Sequence, residues 1–344
     1  MKILFNNPSS VYNKYKKEIN SNIAKVLKSG VYIKSKELQN FETNFSKYIN
    51  SKYSVGVGNA TDAIYISLKS LNIKKGDEVI TVSHTATGTI MAILNTGATP
   101  ILCDINKIDY NIDIDDIEKK ITSKTKAIVV VHLYGQSCDL YKLLRISKKY
   151  NLFLIEDCSQ SAGAKYKNKH LGTFGTFGCF SFFPTKNLSC IGDGGMIVSN
   201  NAKYKNKILA LREYGWDNKR NATYVGINSR LDELQASILS VKLKYLDKDN
   251  TERRKIANYY RALITNSKIT HPVENAFSYH VYHLYVIRVK QRDKLIKLLN
   301  KHNIFPGIHY IKANHQQKLF QSMTNNLTKT ENIVKEILSL PIYP

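Results

Sequence analysis

The chain has 344 residues, enough for one large and one small domain, and 43 % of them are hydrophobic, ample for a buried core. The formal net charge is +24, but the basic residues are scattered and no nucleic-acid-binding motif accompanies them, so the positive field suits a small anionic substrate better than a nucleic acid. Cys103, Cys138, Cys158, Cys179 and Cys190 are an odd, dispersed set without CxxC spacing, which argues against a disulfide framework or a zinc site.

No signal-peptide core and no apolar run long enough for a bilayer stands out, so a cytoplasmic protein without membrane contact is expected. From Lys14 to Ser29, Ile19, Ile23, Val26 and Leu27 recur at helical spacing and Gly30 is a fitting stop. A second packing helix carries Leu38, Phe41, Phe45, Tyr48 and Ile49, after the short extended link Val31-Tyr32-Ile33. The first strand, Tyr53 to Val57, runs through Gly58-Asn59-Ala60-Thr61-Asp62-Ala63 into a helix with Ile64, Leu68 and Leu71. Strand, small-residue turn and helix together aim free N–H groups and the positive helix end at an anion. The plainer alternative is a helix capped by Asn59 or Thr61.

A strand at Glu78 to Val82, the turn Ser83-His84-Thr85-Ala86-Thr87 and a helix to Asn95 follow. Strands at Thr99 to Cys103 and Ala127 to Val131 and a helix from Leu140 to Tyr150 continue the alternation. That alternation predicts an α/β fold with a mostly parallel sheet and helices on both faces. Asp104 and His132-Leu133-Tyr134-Gly135 lie at strand ends and could line a pocket or merely cap turns.

Leu152 to Ile155 reads as a buried strand, placing Asp157 just past its C-terminal end, the edge where open α/β sheets bind ligands. Another extended run, Cys179 to Phe183, stops at Pro184 and opens a loop with Lys186 and then Gly192, Gly194 and Gly195. Such glycines are expected to take positive φ and let the backbone pass close to another group. A lysine held there is partly desolvated, which lowers its pKa and makes it a nucleophile towards carbonyl carbon. A strand-end acid with such a lysine is the pair that pyridoxal phosphate needs: the acid keeps the ring nitrogen protonated and the amine carries the aldehyde.

Met196 to Ser199 reads as a strand and Ala202 to Tyr214 as a helix. The charged stretch Asp217 to Asn221 holds Lys219, in the plain reading a solvated surface charge. Asn228 precedes a helix bearing Leu234, Ile238, Val241 and Tyr245, the place of an N-cap. From about Asn250 the chain reads as a smaller α+β domain. It has a helix near Arg253 to Leu263, a strand at Tyr282 to Val289, a helix at Asp293 to Asn303, His309-Tyr310 past the strand-like Ile304-Phe305, and a last helix before Leu340.

Asp157-x-x-Gln160 followed by Gly163-Ala164, then Ser181-Phe182-x-x-x-Lys186 with Gly192-Asp193-Gly194-Gly195, resembles the DegT/StrS family of sugar aminotransferases. The similarity runs from Tyr32 to Pro341. It implies the aspartate aminotransferase-like fold (fold type I), with a large cofactor-binding domain over 1–249 and a small domain over 250–344. It also implies pyridoxal 5'-phosphate as cofactor, held covalently by the catalytic Lys186. By the same resemblance Asp157 meets the ring nitrogen, Gln160 the ring hydroxyl and His84 the ring face. Thr61, Asp62 and Ser181 take the phosphate, joined by Asn228 from the partner subunit of a homodimer with shared sites. His309 and Tyr310 would face a nucleotide-sugar and Lys219 its phosphates.

The strings Ser83-His84-Thr85-Ala86, Pro184-Thr185-Lys186-Asn187-Leu188 and Asn228-Ser229-Arg230-Leu231-Asp232-Glu233-Leu234-Gln235 look most like the branch acting on dTDP-3-keto-6-deoxyhexoses. That branch implies glutamate as amino donor and a dTDP-3-amino-3,6-dideoxyhexose product for a surface polysaccharide such as the O-antigen of lipopolysaccharide. A nucleotide-linked 4-keto-6-deoxy sugar is the alternative substrate, and a non-catalytic basic binding protein the alternative of another class. Dehydratases of the family carry His in place of the lysine, and Lys186 speaks against that class. Two departures stand out: Phe183 occupies a position commonly Tyr, and the sequence stops at Pro344, where members usually continue into a closing helix.

Overall fold

The computed structural model describes residues 2–323 and 326–344. In chain order it begins with β1 (Ile3–Leu4), α1 (Pro8–Ser29), α2 (Lys36–Ile49), β2 (Tyr53–Val57), α3 (Ala60–Ser70), β3 (Glu78–Val82) and α4 (Thr87–Asn95). Next come β4 (Thr99–Cys103), α5 (Ile114–Lys120), β5 (Thr125–Val131), α6 (Leu140–Lys149) and β6 (Phe153–Asp157). A ribbon, β7 (Lys165–Tyr166) and β8 (Lys169–His170), leads to β9 (Phe177–Ser181), β10 (Gly195–Ser199) and α7 (Lys205–Leu211). The rest is α8 (Glu233–Leu243), α9 (Leu246–Leu263), β11 (Ser278–Tyr279), β12 (Tyr285–Arg288), α10 (Arg292–Lys301), β13 (Ile304–Phe305), α11 (Thr328–Ile333) and β14 (Ile337–Leu340).

Seven strands form one sheet in the order β2-β10-β9-β6-β5-β3-β4. β10 is antiparallel to both neighbours and the other pairs are parallel. Both faces are covered, so these strands read as unbroken apolar runs. Period-two alternation then sorts their side chains into two cores. Ile128 and Val130 pack with Leu38, Phe41 and Phe45 of α2, while Ala127 and Val129 pack with Ala63, Ile64 and Leu68 of α3. The expected α/β architecture is what the chain forms.

Ser35 precedes α2 without capping it through its side chain. The Glu233 carboxylate does so instead, accepting the N–H groups of Ser35 at 2.6 Å, Glu37 at 2.8 Å and Leu38 at 3.2 Å. Acidic charge there suits the positive helix end. The smaller lobe pairs β12 with β14 and packs α10 beside them, and β13 pairs in parallel with β1 from the start of the chain.

Several boundaries differ from the sequence expectation. α9 starts at Leu246 and runs through residue 250, with Asp249, Asn250 and Arg253 buried. The helix expected over Ala202 to Tyr214 ends at Leu211, because Tyr214 and Gly215 both take left-handed φ, 58° and 77°. The last helix expected before Leu340 is the short α11, and it gives way to Ile337–Leu340, a fully buried strand paired with β12. The short α11 before it is capped by Asp104, whose Oδ1 accepts the Thr330 N–H at 2.8 Å. Asp104 is thus a cap.

Candidate active site

The C-terminal ends of the parallel strands open into a cleft of about 470 Å³ whose lining includes Thr61, Asp62, Asp157, Gln160, Ser181 and Lys186. Larger cavities lie by Trp216, about 700 Å³, and between Lys268 and Leu298, about 680 Å³. Neither brings a strand-end acid together with a lysine, so the smaller cleft is the candidate site.

The lysine loop is tied at both ends. The Phe182 N–H donates to the Gly194 carbonyl at 2.8 Å and the Cys190 N–H to the Phe182 carbonyl at 2.7 Å. Asn6 Nδ2 donates to the Thr185 carbonyl at 3.0 Å. The buried Lys242 ammonium reaches the Ser189 carbonyl and hydroxyl at 2.8 and 3.1 Å. Gly194 and Gly195 serve space, whereas a Cβ on Gly192 would meet only the Gln235 side chain, at 3.2 Å. Gly192, Gly194 and Gly195 are not among the residues with positive φ, which corrects that part of the expectation. A Cβ on Gly195 would stand 2.5 Å from the Asn59 carbonyl group, so the strand after the loop passes directly against the turn that opens α3.

The Lys186 side chain is partly buried and hydrogen-bonded to none of the described residues. Desolvation in the cleft lowers its amine to about 8, with the nearby Asp157 charge opposing the shift. Asp157 is buried and oriented from two sides: Thr89 Oγ1 donates to Oδ2 at 2.8 Å and the Ser159 N–H to Oδ1 at 3.0 Å. Thr89, in the first turn of α4, carried no sequence signal, because only the β3–β5–β6 arrangement brings that helix to the acid.

At the opening of α3, Asn59 Oδ1 accepts the Asp62 N–H at 2.9 Å and the Asn59 carbonyl accepts the Ala63 N–H at 3.1 Å. The Ala60 and Thr61 N–H groups are left for an outside acceptor. The Asp62 carboxylate receives Asn59 Nδ2 at 3.0 Å and Ser229 Oγ at 2.6 Å. It braces the turn, and the donors facing the cleft are the two N–H groups with the Thr61 and Ser181 hydroxyls. Gly88 leaves room for the Thr61 hydroxyl, which a Cβ would meet at 2.6 Å.

His84 is fully buried at the end of β3; its Nε2 lies 2.7 Å from the Tyr134 hydroxyl and its Nδ1 has no partner. Burial lowers it to about 4, so the ring is neutral at pH 7. Gln160 Oε1 accepts the Tyr134 N–H at 2.7 Å, and its Nε2 donates to the Tyr310 hydroxyl at 3.0 Å. The Tyr310 ring meets His84 edge-on at 6.0 Å, and these two and His309 stand beside the cleft, in contact with Gln160 or one another, and are not among its lining residues. His309 bonds Ser339 Oγ through Nδ1 at 2.9 Å, and burial, then the Lys186 charge, lowers it to about 4. Asn228 and Lys219 are exposed and do not line this cleft. Asn228 bridges to Glu213, and the Lys219 N–H closes a turn on Asp217 at 2.8 Å.

His132, Glu156 and Cys158 also cluster, but the first two are engaged within the protein. His132 Nδ1 accepts the Cys138 N–H, so Nε2–H donates to Glu156, which also takes the N–H groups of Gly172, Phe174 and Gly175. That cluster fastens the 172–175 loop.

A partnerless acceptor on His84, two unspent N–H groups at a helix start, and a free amine in the same cleft as a buried carboxylate match an aromatic ring bearing a phosphate and an aldehyde. The residues fit pyridoxal phosphate.

Comparison with known proteins agrees. Residues 13–344 match the model of the DegT/DnrJ/EryC1/StrS aminotransferase family. A dTDP-3-amino-3,6-dideoxy-alpha-D-galactopyranose transaminase of Aneurinibacillus thermoaerophilus is 46% identical over 332 residues, 96% of this chain and 92% of that protein. DesV of S. venezuelae, solved in complex with a ketimine intermediate, superposes with TM-score 0.97 at 34% identity, over 100% of this chain and 94% of that one. NtdA of Bacillus subtilis, solved with bound PMP, gives 0.90 at 32% identity, over 96% of this chain and 78% of that one. This chain therefore belongs to the DegT/DnrJ/EryC1/StrS aminotransferase family, and pyridoxal phosphate is its cofactor.

Proposed function

We propose that the enzyme moves an amino group from glutamate to C3 of a dTDP-linked 3-keto-6-deoxyhexose, giving a dTDP-3-amino-3,6-dideoxyhexose for a surface polysaccharide. The observation that carries this is the Lys186–Asp157 cleft, in a chain 46% identical to a transaminase named for such a product. The positive surface suits a doubly anionic sugar nucleotide.

When bound, pyridoxal phosphate supplies the electron sink that makes the donor's α-carbon acidic. Asp157, fixed by Thr89 and the Ser159 N–H, would keep the ring nitrogen protonated. The Ala60 and Thr61 N–H groups, with the Thr61 and Ser181 hydroxyls, would hold the phosphate at the positive end of α3. His84 and Gln160 would hold the ring's face and hydroxyl. An amine poised near pH 8 is both attacking group and proton carrier under ordinary conditions. Lys186 Nζ takes the proton from the donor's α-carbon and delivers one to the sugar carbon that receives the amine.

His309 and Tyr310 would face the sugar nucleotide. The enzyme would work as a homodimer, Asn228 of each subunit reaching the other's phosphate site and Lys219 the substrate phosphates; exposed positions outside their own cleft suit that arrangement. The cofactor-binding domain would span 1–249 and the small domain 250–344. A cytoplasmic setting would keep the five buried cysteines as free thiols.

The test uses enzyme loaded with pyridoxamine phosphate and mixed separately with dTDP-3-keto- and dTDP-4-keto-6-deoxyglucose. Return of the pyridoxal-form absorbance with the 3-keto sugar alone is the expected result. Return with the 4-keto sugar alone would overturn the regiochemistry.

A further inference from the structure

Tyr134 is a junction in the site that the proposed chemistry does not use. Its N–H donates to Gln160 Oε1 at 2.7 Å and its carbonyl accepts the Leu284 N–H at 3.3 Å. Its hydroxyl lies between His84 Nε2, at 2.7 Å, and the carbonyl oxygen of His309. The chain bends sharply to put it there: Tyr134 has φ of 59° and Gly135 of 103°. A Cβ on Gly135 would stand 3.0 Å from the His283 backbone nitrogen, so the turn is pressed against the 281–283 segment.

The direction of these bonds is forced. A carbonyl oxygen only accepts, so the Tyr134 O–H donates to His309 and the phenolic oxygen is left to accept from His84. His84 Nε2 therefore carries the hydrogen. A neutral imidazole has one N–H, so Nδ1 holds an unshared lone pair, and it is the atom without a partner in a fully buried ring. Burying an acceptor unpaired is costly, and such atoms cluster where a ligand completes the site.

We propose that Tyr134 is a positioning residue of the aminotransferase. Its hydroxyl locks His84 in the Nε2–H tautomer, so that Nδ1 is offered to a hydrogen-bond donor of the bound cofactor and substrate. Its backbone N–H meanwhile turns the Gln160 amide so that the oxygen faces the protein and the NH₂ group faces Tyr310 and the cleft. One residue thus sets the hydrogen-bonding sense of two groups, His84 through its hydroxyl and Gln160 through its backbone, and the hydroxyl is itself held by the His309 carbonyl.

The inference rests on the proposed placement of the cofactor ring at His84, but the tautomer can be read without any cofactor. Long-range ¹H–¹⁵N NMR of the ligand-free enzyme, with the His84 signals identified by their loss in His84→Gln, should show a protonated Nε2 and a bare Nδ1. In Tyr134→Phe that fixed pattern should give way to averaged signals, and pyridoxal phosphate should bind about tenfold more weakly, the effect of losing one oriented hydrogen bond. An Nδ1–H tautomer in the wild type overturns the lock even if the variant fails to fold. A Tyr134→Phe enzyme with the tautomer unchanged does the same. Pyridoxal phosphate affinity indifferent to His84→Gln would instead strike the placement of the ring at His84.

Discussion

Asn187 Oδ1, one residue beyond Lys186, accepts a hydrogen bond from His283 Nδ1 at 3.1 Å. Asn187 Nδ2 donates to Asn250 Oδ1 at 2.8 Å and to the Val281 carbonyl at 3.1 Å, and Asn250 Nδ2 donates to the Ala162 carbonyl at 3.1 Å. The two carbonyls at the ends fix the sense of the whole chain of bonds. The lysine loop, α9 and the 281–283 segment are joined at this point. Asn187→Leu removes three bonds and strands His283 and Asn250 in a buried setting. A loss of about 3 kcal/mol is expected from the usual cost of unsatisfied buried groups, measured as a lower urea midpoint with unchanged slope.

Lys186 gives a signed pH dependence. Unfolded, its amine titrates near 10.5; folded, near 8. Below pH 8 both states are protonated and the folded ligand-free enzyme bears the whole desolvation cost. Between 8 and 10.5 the unfolded chain binds more protons, so this group's contribution rises with pH, and above 10.5 the cost is gone. Ligand-free Lys186→Met should therefore be more stable than wild type at pH 7, by a margin that closes over that window. A margin constant with pH would mean the amine is not desolvated. Lys186→Ala should lose turnover while still binding pyridoxal phosphate noncovalently, seen as colour removed by dialysis.

Two glycines three residues apart should behave differently. Gly195→Ala drives a methyl to 2.5 Å of the Asn59 carbonyl group, backbone against backbone. It should cost about 2 kcal/mol and, if the turn opening α3 holds the phosphate as proposed, weaken pyridoxal phosphate binding by roughly tenfold or more. Gly192→Ala meets only the Gln235 amide nitrogen, at 3.2 Å, at the end of a flexible side chain. Its effect should stay within about 0.5 kcal/mol. Urea melts and cofactor titrations of the pair decide.

The proposed sharing of sites between subunits predicts complementation. A mixed dimer of Lys186→Ala and Asn228→Ala subunits carries both lesions in one site and none in the other, if Asn228 acts across the interface. Mixing the purified variants should restore activity well above their sum. No recovery after verified subunit exchange would place Asn228 in its own subunit's site.

Lys186 and Asp157 were legible because each marks a local event, a strand ending at a loop, and because strand ends in an α/β sheet share one edge. The strand–turn–helix at Asn59 to Asp62 was legible for the same reason. Thr89, Ser229, Asn187 and Tyr134 were not, since each matters through a neighbour supplied by the sheet order or the smaller lobe. Apolar periodicity located α1 and α2 but could not tell that Ile337–Leu340 is a strand: a four-residue apolar run takes its identity from its partner, here β12. The glycines signalled a special backbone, but close approach and positive φ leave the same letter in a sequence, and only the first applies at Gly195.

The pairing of β1 with β13 sets an order on the birth of the enzyme. Asn6, which holds the Thr185 carbonyl beside the lysine, lies just past Ile3–Leu4, whose partner strand is Ile304–Phe305. The Ile342 N–H in turn bonds the Phe5 carbonyl. During translation the large sheet has its last strand once Ser199 has left the ribosome, yet Ile3 to Asn6 must wait for Ile304–Phe305 and Ile342 before they can settle. A nascent chain is therefore folded in its sheet long before its lysine loop is secured.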